Sequence, residues 1–277
     1  MRADLHLHTT ASDGRLTPCE LVRRAAELKL DVIAITDHDS VEGIQPALEE
    51  AKNYPRLTVI PGVEINTDVP KGEVHILGYF INYRDPEFNR ALEELRNSRY
   101  ERGRKMVARL CEMNIKVNWD RVVELAGNGS VGRPHVAQAM LEQGAVSSFK
   151  EAFDNYIGRN CPAYVERKKL TPAEAVKLVL DAEGLPFLAH PADIESLEQF
   201  VLKLKEAGIV GIEIYYNGYN SGTIAQLEKL AKRHELISSG GSDFHGIDDS
   251  IGASMGSVDV PRDSVEKLIH LSKQKGR

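Results

Sequence analysis

Short apolar runs recur along the chain, separated by longer stretches in which apolar residues fall every three or four positions. The runs predict strands at Ala3–His8, Asp31–Asp37, Leu57–Ile65, Val74–Phe80, Pro186–His190, Gly211–Tyr216 and Leu236–Ser239. The intervening stretches predict helices over Pro18–Leu28, Ser40–Lys52, Thr171–Ala182, Ile194–Ala207 and Ser221–His234. Two of these carry explicit start signals. Thr17 precedes Pro18, and Thr171-Pro172-Ala173-Glu174 combines an N-cap, a proline at the first helical position and a glutamate at the third. Strands alternating with helices imply right-handed βαβ units and a parallel sheet, and seven strands fit a closed barrel.

One segment breaks the rhythm. No strand pattern appears between Pro86 and Cys161. Phe88–Met113 reads as one long helix or two abutting ones, rich in Arg and Glu, and Trp119–Ala126, Arg133–Gln143 and Ser147–Tyr156 read as short helices. The expected organisation is a barrel domain formed by residues 1–85 and 162–277, with a helical insertion domain at 86–161 that shapes access to the barrel mouth. Trp119 is expected to anchor the insertion's own small core.

Composition narrows the function classes. The chain has 277 residues, 42% hydrophobic and 27% charged, which suits one large globular unit. Its net charge of −6 disfavours a nuclease that tracks long duplex DNA and a polybasic membrane binder. The three cysteines, Cys19, Cys111 and Cys161, are odd in number and widely spaced, so free thiols are expected rather than a disulfide framework or a thiolate zinc site. Met1-Arg2-Ala3-Asp4 leads directly into a strand pattern instead of a secretory signal, and no run is long enough to span a membrane. The expectation is a cytoplasmic protein.

The candidate chemistry lies at the strand ends. Of nine histidines, six (His6, His8, His38, His75, His190 and His245) stand there in apolar or Gly-rich contexts, joined by Asp13, Glu64 and Asp243. One such histidine would be an ordinary core residue. Six together with three carboxylates are hard to bury, because each unpaired polar group costs on the order of 1–3 kcal/mol. A metal ion would pair them at once. On a strand, His6 and His8 share a face and can reach one ion, and Asp243 and His245 repeat that spacing. In parallel barrels, active sites assemble at the C-terminal ends of the strands. Asp37 and Asp39 flank His38 and are expected to orient it. Clustered divalent ions would lower the pKa of a bridging water and neutralise phosphoryl oxygens. Gly240-Gly241-Ser242 lacks the lysine of a phosphate-binding loop.

Taken in order, Asp4-Leu5-His6-Leu7-His8-Thr9, Ser12-Asp13-Gly14, Ile35-Thr36-Asp37-His38-Asp39, Pro61-Gly62-Val63-Glu64, His75, Ala189-His190-Pro191 and Gly241-Ser242-Asp243-Phe244-His245 resemble the motifs of the PHP family, named for polymerase and histidinol phosphatase. The resemblance implies an α/β fold, a distorted (β/α)7 barrel with a mostly helical insertion, holding two to three divalent ions. It implies one ion on His6, His8, Glu64 and Asp243, a second sharing Glu64 with His75 and His190, and a third on Asp13, His38 and His245. Aspartate at position 13 makes that third position harder and favours Mn²⁺ or Mg²⁺ there, with Fe²⁺ and Zn²⁺ open across the cluster. Asp13, His38, Glu64 and Asp243 would then be catalytic.

Within the insertion, Gly132-Arg133-Pro134-His135 opens a helix, where backbone amides favour anions, and Arg133 can grip a phosphate bidentately. The segment resembles a PHP subfamily containing 3′,5′-nucleotide bisphosphate phosphatases and 5′-to-3′ exoribonucleases. Arg133 and His135 are therefore candidate substrate-binding residues, although a surface ion pair for Arg133 and helix packing for His135 account for them too. Arg159, Lys168 and Lys169 are weaker phosphate candidates; Tyr215 and Asn217, after a strand, are candidates to meet substrate. His234 and His270 read as surface helix residues. The implied activity is hydrolysis of small phosphate esters, nucleotides or short RNA ends, by a metal-bridging hydroxide. A histidinol-phosphate phosphatase and a non-catalytic metal-binding regulatory module are the alternatives.

Overall fold

A computed structural model describes residues 1–69, 72–127, 129–166, 170–246 and 254–274. Lys168 and Lys169 lie outside them. Seven strands form one sheet in chain order: β1 (Ala3–Leu7), β2 (Val32–Ile35), β3 (Thr58–Val69), β4 (Gly72–Tyr79), β5 (Leu185–Leu188), β6 (Gly211–Tyr216) and β7 (Ile237–Gly241). Each strand follows its apolar run because the runs are too short for helices and bury both faces. Helices α1 (Pro18–Glu27), α2 (Ile44–Ala51), α7 (Pro172–Asp181), α8 (Leu197–Ala207), α9 (Ser221–Arg233) and α10 (Arg262–Gln274) accompany the strands. Capping boxes at Thr17/Glu20 and Thr171/Glu174 start α1 and α7 as their sequences require. The fold is a nearly closed α/β barrel.

The ring closes between its first and last strands. The His8 amide donates to the Phe244 carbonyl at 3.0 Å. The buried Asp4 carboxylate accepts from the Ser242 amide (2.9 Å), the Ser242 hydroxyl (2.6 Å) and the Gly256 amide (2.8 Å), so a side chain replaces part of the missing ladder. Burial pushes Asp4 up, and those donors oppose the rise. Gly241 permits the approach: a Cβ there would sit 2.5 Å from His6.

The sheet is not all parallel, contrary to the expectation. β4 runs antiparallel to both β3 and β5. The reason is chain length: only two residues separate β3 from β4, and a parallel crossover needs a dozen or more. The reversal puts His75, near the start of β4, opposite Asn66, near the end of β3. His75 thus reaches the same rim as the C-terminal ends of the other strands.

The α-helices between β4 and α7 are α3 (Pro86–Glu112), α4 (Trp119–Ala126), α5 (Arg133–Glu142) and α6 (Phe149–Ala152). The α3 segment is one helix of 27 residues, roughly 40 Å at about 1.5 Å per residue. Asp85 caps it by accepting from the Phe88 amide at 2.7 Å. Its first half buries Phe88, Leu92 and Leu95 in the barrel core, and its second half buries Met106, Val107 and Leu110 in a separate apolar cluster with α4 and α5. Trp119 packs on that second cluster. The Ser147–Tyr156 helix is interrupted: after α6 the backbone widens into a π turn at Phe153–Ile157, where the Cys161 thiol approaches the Phe153 and Asp154 carbonyls. Among the described residues no helix is long and apolar enough to cross a membrane.

Candidate metal centre

Alternation along β3 sends Val63 and Ile65 into the helix-covered core and Glu64 inward, where it is 1% exposed. One carboxylate there meets five imidazoles. Its Oε1 lies 2.7 Å from His75 Nδ1 and 3.1 Å from His190 Nε2. Its Oε2 lies 2.9 Å from His38 Nδ1, 3.2 Å from His8 Nε2 and 3.3 Å from His6 Nε2. Asp243, beyond β7, adds Oδ1 at 3.3 Å from His6 Nε2 and 3.1 Å from His8 Nε2. Asp13 lies 3.3 Å from His245 Nε2 and 3.9 Å from His38 Nε2.

The donor atoms fall into three tight groups: His6, His8, Glu64 and Asp243; His8, Asp13, His38 and His245; and His38, Glu64 and His75. His6 Nε2, His8 Nε2, Asp13 Oδ1, His38 Nδ1 and Glu64 Oε2 are buried without a hydrogen-bond partner. Such atoms cost free energy unless something pairs them. A set of imidazole nitrogens and carboxylate oxygens gathered within 4.8 Å of one another in each group fits divalent cations. Burial opposes ionisation of Glu64, Asp13 and Asp243. The imidazoles packed on them (His38, His75 and His6 on Glu64; His38 and His245 on Asp13; His6 and His245 on Asp243) outweigh it and hold all three carboxyls well below their ordinary range. Burial likewise works against protonation of His245, yet Asp13 and Asp243 push it up to about 10. The carboxylates therefore stay ionised and demand positive charge, which protons supply and cations would displace.

All nine expected ligand residues come together at one rim. The grouping differs in detail from that implied by the resemblance: His8 also approaches the Asp13 group, and His38 also approaches Glu64 and His75. Asp37 and Asp39, expected to orient His38, also bond to other groups. Asp37 accepts from the Thr9 amide (2.7 Å), the Thr9 hydroxyl (2.8 Å) and the Ser12 hydroxyl (2.7 Å), which shapes the loop bearing Asp13. Asp39 takes the buried Arg99 guanidinium of α3 at 2.6 Å. Tyr215 is corrected to Tyr216. A bulge between Glu213 and Tyr215 shifts the alternation of β6 by one residue. Tyr216 therefore turns inward and donates to Asp243 Oδ2 at 2.8 Å, while Tyr215 donates outward to Glu228. Asn217 is exposed. His234 faces Glu198, and His270 faces Gln274 on α10.

Four further residues escaped the sequence reading. Glu213 lies fully buried behind His6, and its signal was an isolated glutamate between Ile212 and Ile214 of a buried strand. Asn66 bonds His75 Nε2. Arg99 and Arg102 are buried on α3, and their signal was arginine at three-residue spacing, continuing from Arg96 on one helical face.

Helices α4 to α6 and the second half of α3, called the cap below, sit against this rim. Gly129 packs so closely on the Thr10 and Ala11 backbone that a Cβ would lie 2.7 Å from the Thr10 carbonyl. Arg133, at the start of α5, pairs with Glu73 at 2.8 Å and lies 5.6 Å from the Phe153 ring centroid and 5.9 Å from that of Tyr164. His135 is buried, and its Nδ1 accepts from the Gly132 amide at 3.0 Å. Burial lowers its pKa, against a smaller pull from Asp13. Arg159 is half-buried.

Residues 4–188 match the sequence profile of the PHP domain. A 5′-3′ exoribonuclease of Salmonella typhimurium is 36% identical over 247 residues, covering 87% of this chain and 84% of its own. A 3′,5′-nucleoside bisphosphate phosphatase of Chromobacterium violaceum is 32% identical, covering 87% and 86%. The crystal structure of a candidate metal-dependent phosphoesterase from Bifidobacterium adolescentis superposes with a TM-score of 0.88 at 26% identity, covering 97% of this chain and 95% of that one.

Proposed function

The chain belongs to the PHP family and is a metal-dependent phosphoesterase, and from that premise we propose that it hydrolyses phosphate esters of small nucleotides, either 3′,5′-bisphosphates or short 5′-phosphorylated RNA ends. The observation that carries the reading is the set of buried, partnerless donor atoms converging on one rim. His6, His8, Asp13, His38, Glu64, His75, His190, Asp243 and His245 are proposed to hold two to three divalent ions, Mn²⁺ foremost, with Glu64 shared between positions. Bound ions would supply a water acidified to near neutral pH and charge to offset the phosphoryl oxygens.

The chain's own residues divide the remaining work. Tyr216 fixes Asp243, and Asp37 fixes the Asp13 loop. The seam between cap and barrel favours a substrate carrying a second anionic group. Arg99 Nη2 and Ser130 Oγ are buried there without a hydrogen-bond partner. Arg133 stands at a helix N-terminus with Glu73 as the partner a phosphate would displace. His135 is proposed to line the same seam. A single-phosphate amino alcohol such as histidinol phosphate would leave these donors unused.

The test is phosphate release by Mn²⁺-loaded protein from a panel holding 3′,5′-bisphosphates, 5′-phosphorylated oligoribonucleotides and histidinol phosphate. The expected ranking places the first two well above the third. Preference for histidinol phosphate, or no release from any nucleotide, overturns the proposal.

A further inference from the structure

The metal rim has an inner support that the ligand motifs do not include. Glu213 is fully buried on β6 and uses both carboxylate oxygens. Its Oε1 lies 2.9 Å from His6 Nδ1, and its Oε2 accepts from the His190 backbone amide at 2.7 Å. These contacts reach two ligand residues on different strands. His6, on β1, aims its Nε2 at Glu64 and Asp243. His190, just past β5, aims its own Nε2 at the other oxygen of Glu64.

We infer that Glu213 is a positioning residue that fixes His6 with its proton on Nδ1 and its free Nε2 toward the ions, and that clamps His190 so that one carboxylate orients ligands at two metal positions. The inference rests on the metal-centre reading above. Three observations carry it. His6 Nε2, the ring atom opposite Glu213, is buried without a hydrogen-bond partner, as a metal-facing nitrogen would be. His190 adopts φ 25°, ψ 61°, a backbone conformation unfavourable for a non-glycine residue, and the Glu213 bond to its amide holds it there. The inward turn of Glu213 is also the last regular alternation before the bulge that delivers Tyr216 to Asp243. The short stretch from Glu213 to Tyr216 therefore supports His6, His190 and Asp243 together. A carboxylate behind a ligand imidazole sets its tautomer and orientation, and its loss costs roughly 10–100-fold in metal affinity.

The experiment compares parent and Glu213→Gln by Mn²⁺ titration calorimetry, with thermal unfolding of both metal-free proteins as the folding control. A glutamine can accept through only one oxygen, so one of the two donors loses its partner. The expected result is an affinity drop of about 10–100-fold in more than one step of the isotherm, with metal-free unfolding within a few degrees of the parent. Parent-like affinity in the variant overturns the inference, and loss confined to a single step overturns the clamp on His190. A parent that binds no Mn²⁺ overturns the metal reading itself, a separate failure. Imidazole ¹⁵N spectra of Zn²⁺-loaded parent, with His6 assigned through His6→Gln, decide the matter even if Glu213→Gln does not fold. A proton on Nδ1 is expected, and a proton on Nε2 overturns the assignment.

Discussion

The barrel rim and the cap are both dense in charge, and they handle it oppositely. In the cap, charges find partners: Arg121 pairs with Glu142 and Glu124, Lys150 with Asp154, and Arg133 with Glu73. At the rim, His6, His8, Asp13, His38 and Glu64 each keep a buried atom without a hydrogen-bond partner. A folded chain does not leave so many polar atoms unmatched for stability's sake, since each costs on the order of 1–3 kcal/mol. The contrast separates residues kept for chemistry from residues kept for packing. It also marks the seam, where Arg99 bonds Asp39 through one nitrogen and leaves another buried and unmatched.

The sharpest way to break the comparison is at Glu64, which meets five imidazoles from four strand ends. Glu64→Gln should lower turnover by roughly a thousandfold or more, on the scale of losing an electrostatic stabiliser of a transition state. It should also reduce bound metal, measured by elemental analysis. Turnover within tenfold of the parent would mean that the unmatched atoms at the rim are not the reaction centre.

The next largest effect should fall on stability, at the seam. The Arg99 and Asp39 side chains are 6% and 0% exposed. Removing one partner of such a pair strands the other charge, at a cost of about 3–5 kcal/mol. Arg99→Met should show that loss in urea unfolding. A loss under about 1 kcal/mol would place the pair in the class of surface ion pairs, as for the cap's exposed bridges.

The same contrast governs what the sequence could reveal. The strands and their helices were legible because short apolar runs and capping boxes are local signals, and the ligand residues were legible because they sit at the ends of those runs. The antiparallel course of β4 was written in the short interval between the apolar runs ending at Ile65 and starting at Val74, too short for a parallel crossover, but the alternating rhythm suggested parallel crossovers. Glu213, Asn66 and Arg99 were not legible as site residues, since their partners lie 207, 9 and 60 positions away and no local pattern pairs them. Asp37 and Asp39 show the converse. Their neighbour in sequence is His38, and loop and helix donors also bond their oxygens.

A smaller effect tests whether the cap selects substrate. Arg133→Ala removes a charged hydrogen-bond donor worth about 1.5–3 kcal/mol, so KM for a bisphosphate should rise roughly 10–100-fold with kcat and metal content near parent values. The Glu73 pairing makes this informative. If Arg133 serves only that ion pair, the variant should lose a little stability and no affinity for substrate, and KM would stay at the parent value.

The smallest expected effect rests on the bulge in β6. Tyr216→Phe removes one hydrogen bond to Asp243 Oδ2 without changing the shape of the ring. Such a bond is worth about 0.5–1.5 kcal/mol net, so turnover should fall only severalfold, with the fold intact. Tyr215→Phe removes an equivalent bond, to Glu228 on the outer face, and should leave turnover unchanged. The two variants differ by one position and by the side of the strand they occupy, so the pair reads the register shift directly. A regular strand would place Tyr215 inward, and the rates would then respond in the opposite order. Parent-like turnover in both variants would mean that neither hydroxyl bears on Asp243, and that the rim tolerates loss of its outermost support.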